Sequence, residues 1–172
     1  MNIELKNIKI AEHLSEETTA FTADIFVNGK KVGYARNDGR GGCTDYNRYP
    51  GDGNMEVIKQ AEEFCKTLPQ KVYPPMFGQP ELRIDMNLEE FIDDIIEKKL
   101  LAKDEAKLKK KMVDHLMWGV PNTGSYTQIK FKKPLNQVPT DLLQKYVDNN
   151  KKDFTEGVVF LNTNLEELGI KI

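Results

Sequence analysis

Asn28-Gly29 constrains this chain more than any other pair of residues. It follows directly on Phe21, Ala23, Ile25 and Val27, which alternate with polar neighbours over a full strand. A type I′ hairpin turn needs positive φ at both central residues, and Asn-Gly supplies it. A two-residue loop then sets the register, with Val27 opposite Lys30, Ile25 opposite Val32 and Ala23 opposite Tyr34. That register predicts Ala23, Ile25, Val32 and Tyr34 on one face. Upstream, Ile3 and Leu5 share one phase and Ile8 and Ile10 the other. The one-residue slip predicts a β-bulge near Lys6–Asn7. The first forty residues therefore read as three antiparallel strands.

Downstream the period changes from two to 3.6. Asn54 is the predicted N-cap of a helix to Leu68, with Val57, Ile58, Ala61, Phe64, Cys65 and Leu68 on its apolar face. Four prolines within 69–80 predict an extended connector. From Asn87 a long helical stretch carries two apolar stripes, Leu88 to Ile96 and Leu108 to Met117. Asp104 between them leaves open whether it is one helix or two. A strand (126–132), a helix (141–149) and a strand (Val158–Leu161) follow, spaced for a parallel crossover. The tail carries a capping box from Thr163 to Glu166 and a Gly169 stop. The expected fold class is α+β: an N-terminal antiparallel β-meander packed on helices, a long central helical stretch, and a C-terminal strand–helix–strand. The expected organisation is one domain over 1–172, with parts 1–68, 69–86 and 87–172.

A formal net charge of −2 gives no global field toward a polyanion, so DNA is not an expected partner and any anion site must be local. No apolar run reaches the ~18–20 residues that span a bilayer, and the start has no signal-peptide core. The expectation is a cytoplasmic protein without a membrane partner, whose Cys43 and Cys65 need not form a disulfide. The cysteines and histidines lack zinc-site spacing, and Glu89, Glu90, Asp93 and Asp94 read as the wet side of a helix. No metal and no cofactor are predicted.

The segment Arg36 to Asn54 reads as a loop and differs from the rest of the chain. It holds five of twelve glycines and three of four arginines, Arg36, Arg40 and Arg48. A guanidinium grips phosphate or carboxylate bidentately, as an ammonium does not. Glycine N–H groups can converge on an anion, and tyrosines can stack on a base. The candidate ligand-binding residues are Arg36, Asp38, Arg40, Gly41, Gly42, Cys43, Tyr46, Arg48 and Tyr49. The plain alternative is a structured loop whose arginines pair with Asp38, Asp45 and Asp52. Its spacing matches neither the phosphate-loop nor the dinucleotide fingerprint.

These residues favour a non-enzymatic binding protein for an anionic small molecule such as a nucleotide, or for a partner protein. A second reading is a cysteine-dependent hydrolase or transferase, with Cys43 as nucleophile, His13 as base and Gly41-Gly42 as oxyanion donors. A third is a pure interaction module presenting the 87–117 helices or the 69–80 segment. Cys65 reads as core, His115 as a helix-flank residue, and Trp118 as a plug at a helix end.

The run FTADIFVNGKKVGYARNDGRGGCTDY, the CKTLP at Cys65–Pro69 and the ending LNTNLEELGI resemble a family of small uncharacterised bacterial and phage proteins. The resemblance implies a stand-alone cytoplasmic or phage-encoded protein and brings no activity or site residue with it. Relatives carry histidine at the Arg40 position, which weighs against a mechanism that demands arginine there.

Overall fold

In the computed structural model, which describes residues 1–75, 80–121 and 123–172, the Asn28-Gly29 turn forms with φ of 50° and 82°. It joins β2 (Phe21–Val27) to β3 (Lys30–Asn37), and Val27 stands opposite Lys30 as the turn dictates. The register then shifts between Phe26 and Ile25. Ile25 therefore pairs with Gly33 and Ala23 with Ala35, one residue beyond the predicted partners. The extra residue lets Val32 and Ala35 both reach the core while Tyr34 turns to the opposite face, beside Asp24. Gly33 is where the shift is possible, because a Cβ there would collide with the Asn47 carbonyl of the next strand.

β1 (Ile3–Ile10) carries the predicted bulge: its register shifts between Lys6 and Lys9, and Asn7 takes φ of 53°. A fourth strand, β4 (Asp45–Arg48), lies inside the segment read as loop and completes an antiparallel sheet of order β1-β2-β3-β4. Its residues are too polar to announce a strand; pairing with β3 makes it one.

α1 (Asn54–Lys66) begins one position earlier than predicted, with Asn54 as its first residue rather than its cap. Gly53, in the left-handed region at φ 77°, occupies the cap, and the buried Asn54 side chain donates to the Tyr49 carbonyl. Ile58, Ala61 and Cys65 of α1 are buried, as are Ala23, Ile25, Val27, Val32 and Ala35 of the sheet. Burial lifts the Cys65 thiol to about 11, the mark of a core cysteine.

The connector of 69–80 contains β5 (Lys71–Tyr73), paired with β6 (Leu82–Ile84); residues 76–79 lie outside the described residues. Lys71 is largely buried, with its ammonium 2.5 Å from Asp94, 3.5 Å from Glu97 and 3.9 Å from Glu90. α2 (Leu88–Lys111) is a single helix, capped by the Asn87 side chain on the Glu90 N–H. Asp104 does not start a second one.

The chain divides into two compact units, Met1–Lys99 and Leu100–Ile172. In the second, the apolar run after α2 is not helical. His115–Gly119 is β7, flanked by β8 (Thr127–Lys130) and β9 (Val159–Phe160) in the order β8-β7-β9. Both neighbours run antiparallel to β7, so β8 and β9 are mutually parallel across it, and α3 (Thr140–Lys151) lies between them in sequence. His115 is thus a strand residue whose Nδ1 lies 2.5 Å from Asp114 Oδ1. Trp118 stacks on Phe154 and meets Phe160 edge-on, at the margin of a core built from Leu116, Leu135, Leu143, Val147 and Leu165. Gly169 ends the tail at φ 74°, but Thr163 does not cap it; its hydroxyl faces the Met112 sulfur.

Candidate functional site

One face of the four-stranded sheet belongs to the core, and alternation puts Thr22, Asp24, Tyr34 and Arg36 on the other. Cross-strand pairing arranges that open face in rows. Lys9 stands beside Thr22, Thr22 beside Arg36 and Arg36 beside Asp45. One row along, Lys6, Asp24, Tyr34 and Asn47 are neighbours. Paired strands lie about 4.8 Å apart, so Lys9 and Arg36 flank the Thr22 hydroxyl across roughly 10 Å.

Asp24 is the fixed point of this face. Its carboxylate accepts from Asn7 Nδ2 at 2.7 Å, from the Tyr49 hydroxyl at 2.7 Å and from the Lys31 ammonium at 2.9 Å. These donors, Asn7 first, hold its pKa at about 2. Tyr49 in turn packs on Tyr34 with ring centroids 5.6 Å apart, and Lys31 lies over the Tyr49 ring at 4.6 Å. Two adjoining hollows open here, sharing Lys9 and Thr22. The larger, about 740 Å³, reaches Asp24, Tyr34, Arg36 and Tyr49. The smaller, about 460 Å³, reaches Ile10, Ala11, Leu14, Ala20, Asp38 and Arg40.

The glycine-rich loop is organised inward. The Gly39 carbonyl accepts the N–H groups of Glu16, Glu17 and Thr18. Gly39 N–H donates to Asn37 Oδ1, Arg40 N–H to Asp38 Oδ1 and Gly41 N–H to the Thr18 hydroxyl. Thr44 N–H goes to Glu89 and the Thr44 hydroxyl to Asp93, at 3.0 and 2.6 Å. The backbone N–H groups of Gly39, Arg40 and Gly41 are thus taken by the protein's own oxygens. Of the arginine pairings that the plain alternative expected with Asp38, Asp45 and Asp52, Arg36–Asp45 forms at 3.6 Å, exposed on both sides, and Asp38 takes the Arg40 backbone N–H.

The predicted site residues therefore divide. Arg36 and Tyr49 meet on the open face, and Asp38 and Arg40 line the smaller hollow. Tyr46 points to α1, where its hydroxyl donates to Glu62; burial first, then that bond, pushes it to about 12. Arg48 is exposed and has the strand parity of Tyr46, away from Arg36. Gly41, Gly42 and Cys43 sit at the exposed tip of the loop. The Cys43 thiol is pushed up, chiefly by the charge of Glu89, which opposes thiolate formation. His13 is exposed on a 3-10 turn (Glu12–Leu14), and among the described residues no bond joins it to Cys43.

Sequence reasoning passed over Lys9, Thr22 and Tyr34. The outward phase of Lys9 and Thr22 is legible but carries no unusual composition, and the shift at Ile25/Phe26 hides the outward turn of Tyr34. No described helix is long and apolar enough to cross a membrane. No family model, curated protein or solved structure matches the chain.

Proposed function

We propose that this is a non-enzymatic binding protein that holds an anionic small molecule of the nucleotide class on the open face of its N-terminal sheet. The observation that carries the reading is the row Lys9–Thr22–Arg36, a hydroxyl between two cations at the junction of two hollows. A phosphate fits such a row as acceptor to all three groups. Tyr34, one row away and packed against Tyr49, offers a ring face for a base. The Cys43 thiol, pushed up by the charge of Glu89, weighs against the reading in which Cys43 is a nucleophile. A phage-encoded protein that sequesters a nucleotide signal is a setting consistent with this chemistry.

Isothermal titration with AMP tests it. Binding weakened at least tenfold in Lys9→Ala and in Arg36→Ala, with Arg48→Ala as the unaffected control, supports the reading. Undetectable binding at millimolar AMP, or equal loss in Arg48→Ala, overturns it.

A further inference from the structure

The site just described has a sequence of chemistries along the strands. In the first row, Tyr34 and Tyr49 form a tilted aromatic pair beside Asp24. Two residues further along come the cation–hydroxyl–cation group of Lys9, Thr22 and Arg36. Two residues beyond that, the smaller hollow is lined by Ile10, Ala11, Leu14 and Ala20, with Arg40 and Asp38 at its rim. Rows two residues apart on a strand are separated by about 6.7 Å, so the first and third rows stand about 13 Å apart, the span of two bases splayed to either side of one phosphodiester.

The third row does not suit a second phosphate. Glu16 and Asp38 line it, and their charges repel one. It does suit a base. The apolar side chains offer a surface for the ring, Arg40 a stacking plane, and the carboxylates acceptors for an exocyclic amino group. At the other end Asp24 is already engaged by three donors, and the Tyr34 ring beside it, backed by Tyr49, is the recognition surface.

From this order of seats we infer that the ligand is a dinucleotide: one phosphodiester on Lys9, Thr22 and Arg36, with a base on either side. The inference rests on the anion-binding reading above and narrows it. Charge also limits ligand length. Residues 1–99 carry 13 basic and 18 acidic side chains, so attraction for a polyanion is confined to the groove. A short ligand gains the three favourable seats without meeting the acidic surroundings.

Titration of the full chain with the dinucleoside monophosphate ApA and with the methyl ester of AMP tests this, since both probes carry one negative charge. Stacking of one further base corresponds to about fivefold or more tighter binding, and that is the gain expected for ApA. Leu14→Asp, at a position 52% exposed and so safe for folding, is expected to bring ApA to the affinity that the methyl ester shows on the same variant. Equal affinity of the two probes for the wild-type protein overturns the dinucleotide and leaves the anion site standing. Tighter ApA binding that survives Leu14→Asp also overturns it, because the second base then lies elsewhere. Absence of binding by both probes and by AMP removes the anion site itself.

Discussion

The open face of the N-terminal sheet and the contact between its glycine-rich loop and α2 use carboxylates in opposite ways. On the open face, Asp24 is ringed by Asn7, Tyr49 and Lys31, and its pKa falls to about 2. On the covered side of the loop, Asp93 accepts the Thr44 hydroxyl, but burial dominates and raises its pKa. The first is a charge that the fold stabilises, and the second a charge that it tolerates to hold a loop. The open face can spend its donors and cations on a ligand because its one central acid is already satisfied. The latched side has no such freedom, since each polar group there closes the loop onto the protein. On the proposed reading, binding and folding fall to different residues of the same sheet and loop, Arg36 and Thr44 among them.

The strongest test of that separation is Gly39→Ala. Gly39 sits at φ 87°, and an added Cβ would collide with the Leu14 carbonyl and lie 2.9 Å from the Ala20 Cβ. Left-handed strain together with a backbone clash should cost about 3 kcal/mol. We expect chemical denaturation to show it as a lowered midpoint with unchanged slope. A cost under about 0.5 kcal/mol would mean that the three N–H bonds to the Gly39 carbonyl do not anchor the loop.

Thr44→Val comes next. It keeps the shape but removes the donor to Asp93 and leaves that half-buried carboxylate without its partner, which costs roughly 1–3 kcal/mol. AMP affinity should stay within about twofold, because the latch and the groove share no side chain. If affinity fell with stability, the two sides would be coupled.

The legibility of these regions in the sequence follows their physics. The β2–β3 turn and the bulge at Asn7 were readable, because turn chemistry and period-two alternation are local. The shift at Ile25/Phe26 was not, since it depends on how closely β4 approaches Gly33. β4 itself has no apolar alternation and exists by pairing. Met117 and Leu116 fit a helical stripe as well as a strand, and a short apolar run does not decide between the two. The α+β class survived these misses because each exchanged one local element without altering the order of sheets and helices. In the candidate site, loop composition pointed near Arg36 and Arg40 and away from Lys9, which looks like any outward lysine until three strands are laid side by side.

Arg36→Ala addresses the open face alone. Its pairing with Asp45 is solvent-exposed, so stability should change by less than about 0.5 kcal/mol. Affinity for AMP should drop tenfold or more, measured by titration in the same buffer. A stability loss above 1 kcal/mol would make Arg36 a structural residue and weaken the division of labour.

The smallest effect is also the one that separates the two carboxylates by sign. Asp24 has its pKa lowered in the folded state, so its contribution is present above the unfolded value near 3.8 and is lost as pH falls toward about 2. Asp93 has its pKa raised, so its contribution runs the other way: complete below the unfolded value and lost as pH rises through the folded one. Between pH 5 and pH 2 the wild-type protein loses the Asp24 term, which is on the order of 1 kcal/mol once its partial exposure is allowed for. Asp24→Asn should therefore flatten the acid limb of stability against pH, and Asp93→Asn should steepen it slightly, both followed by urea denaturation at each pH. Parallel limbs for the two variants would show that the two acids sit in equivalent environments. The contrast between the two regions would then reduce to geometry without an electrostatic consequence.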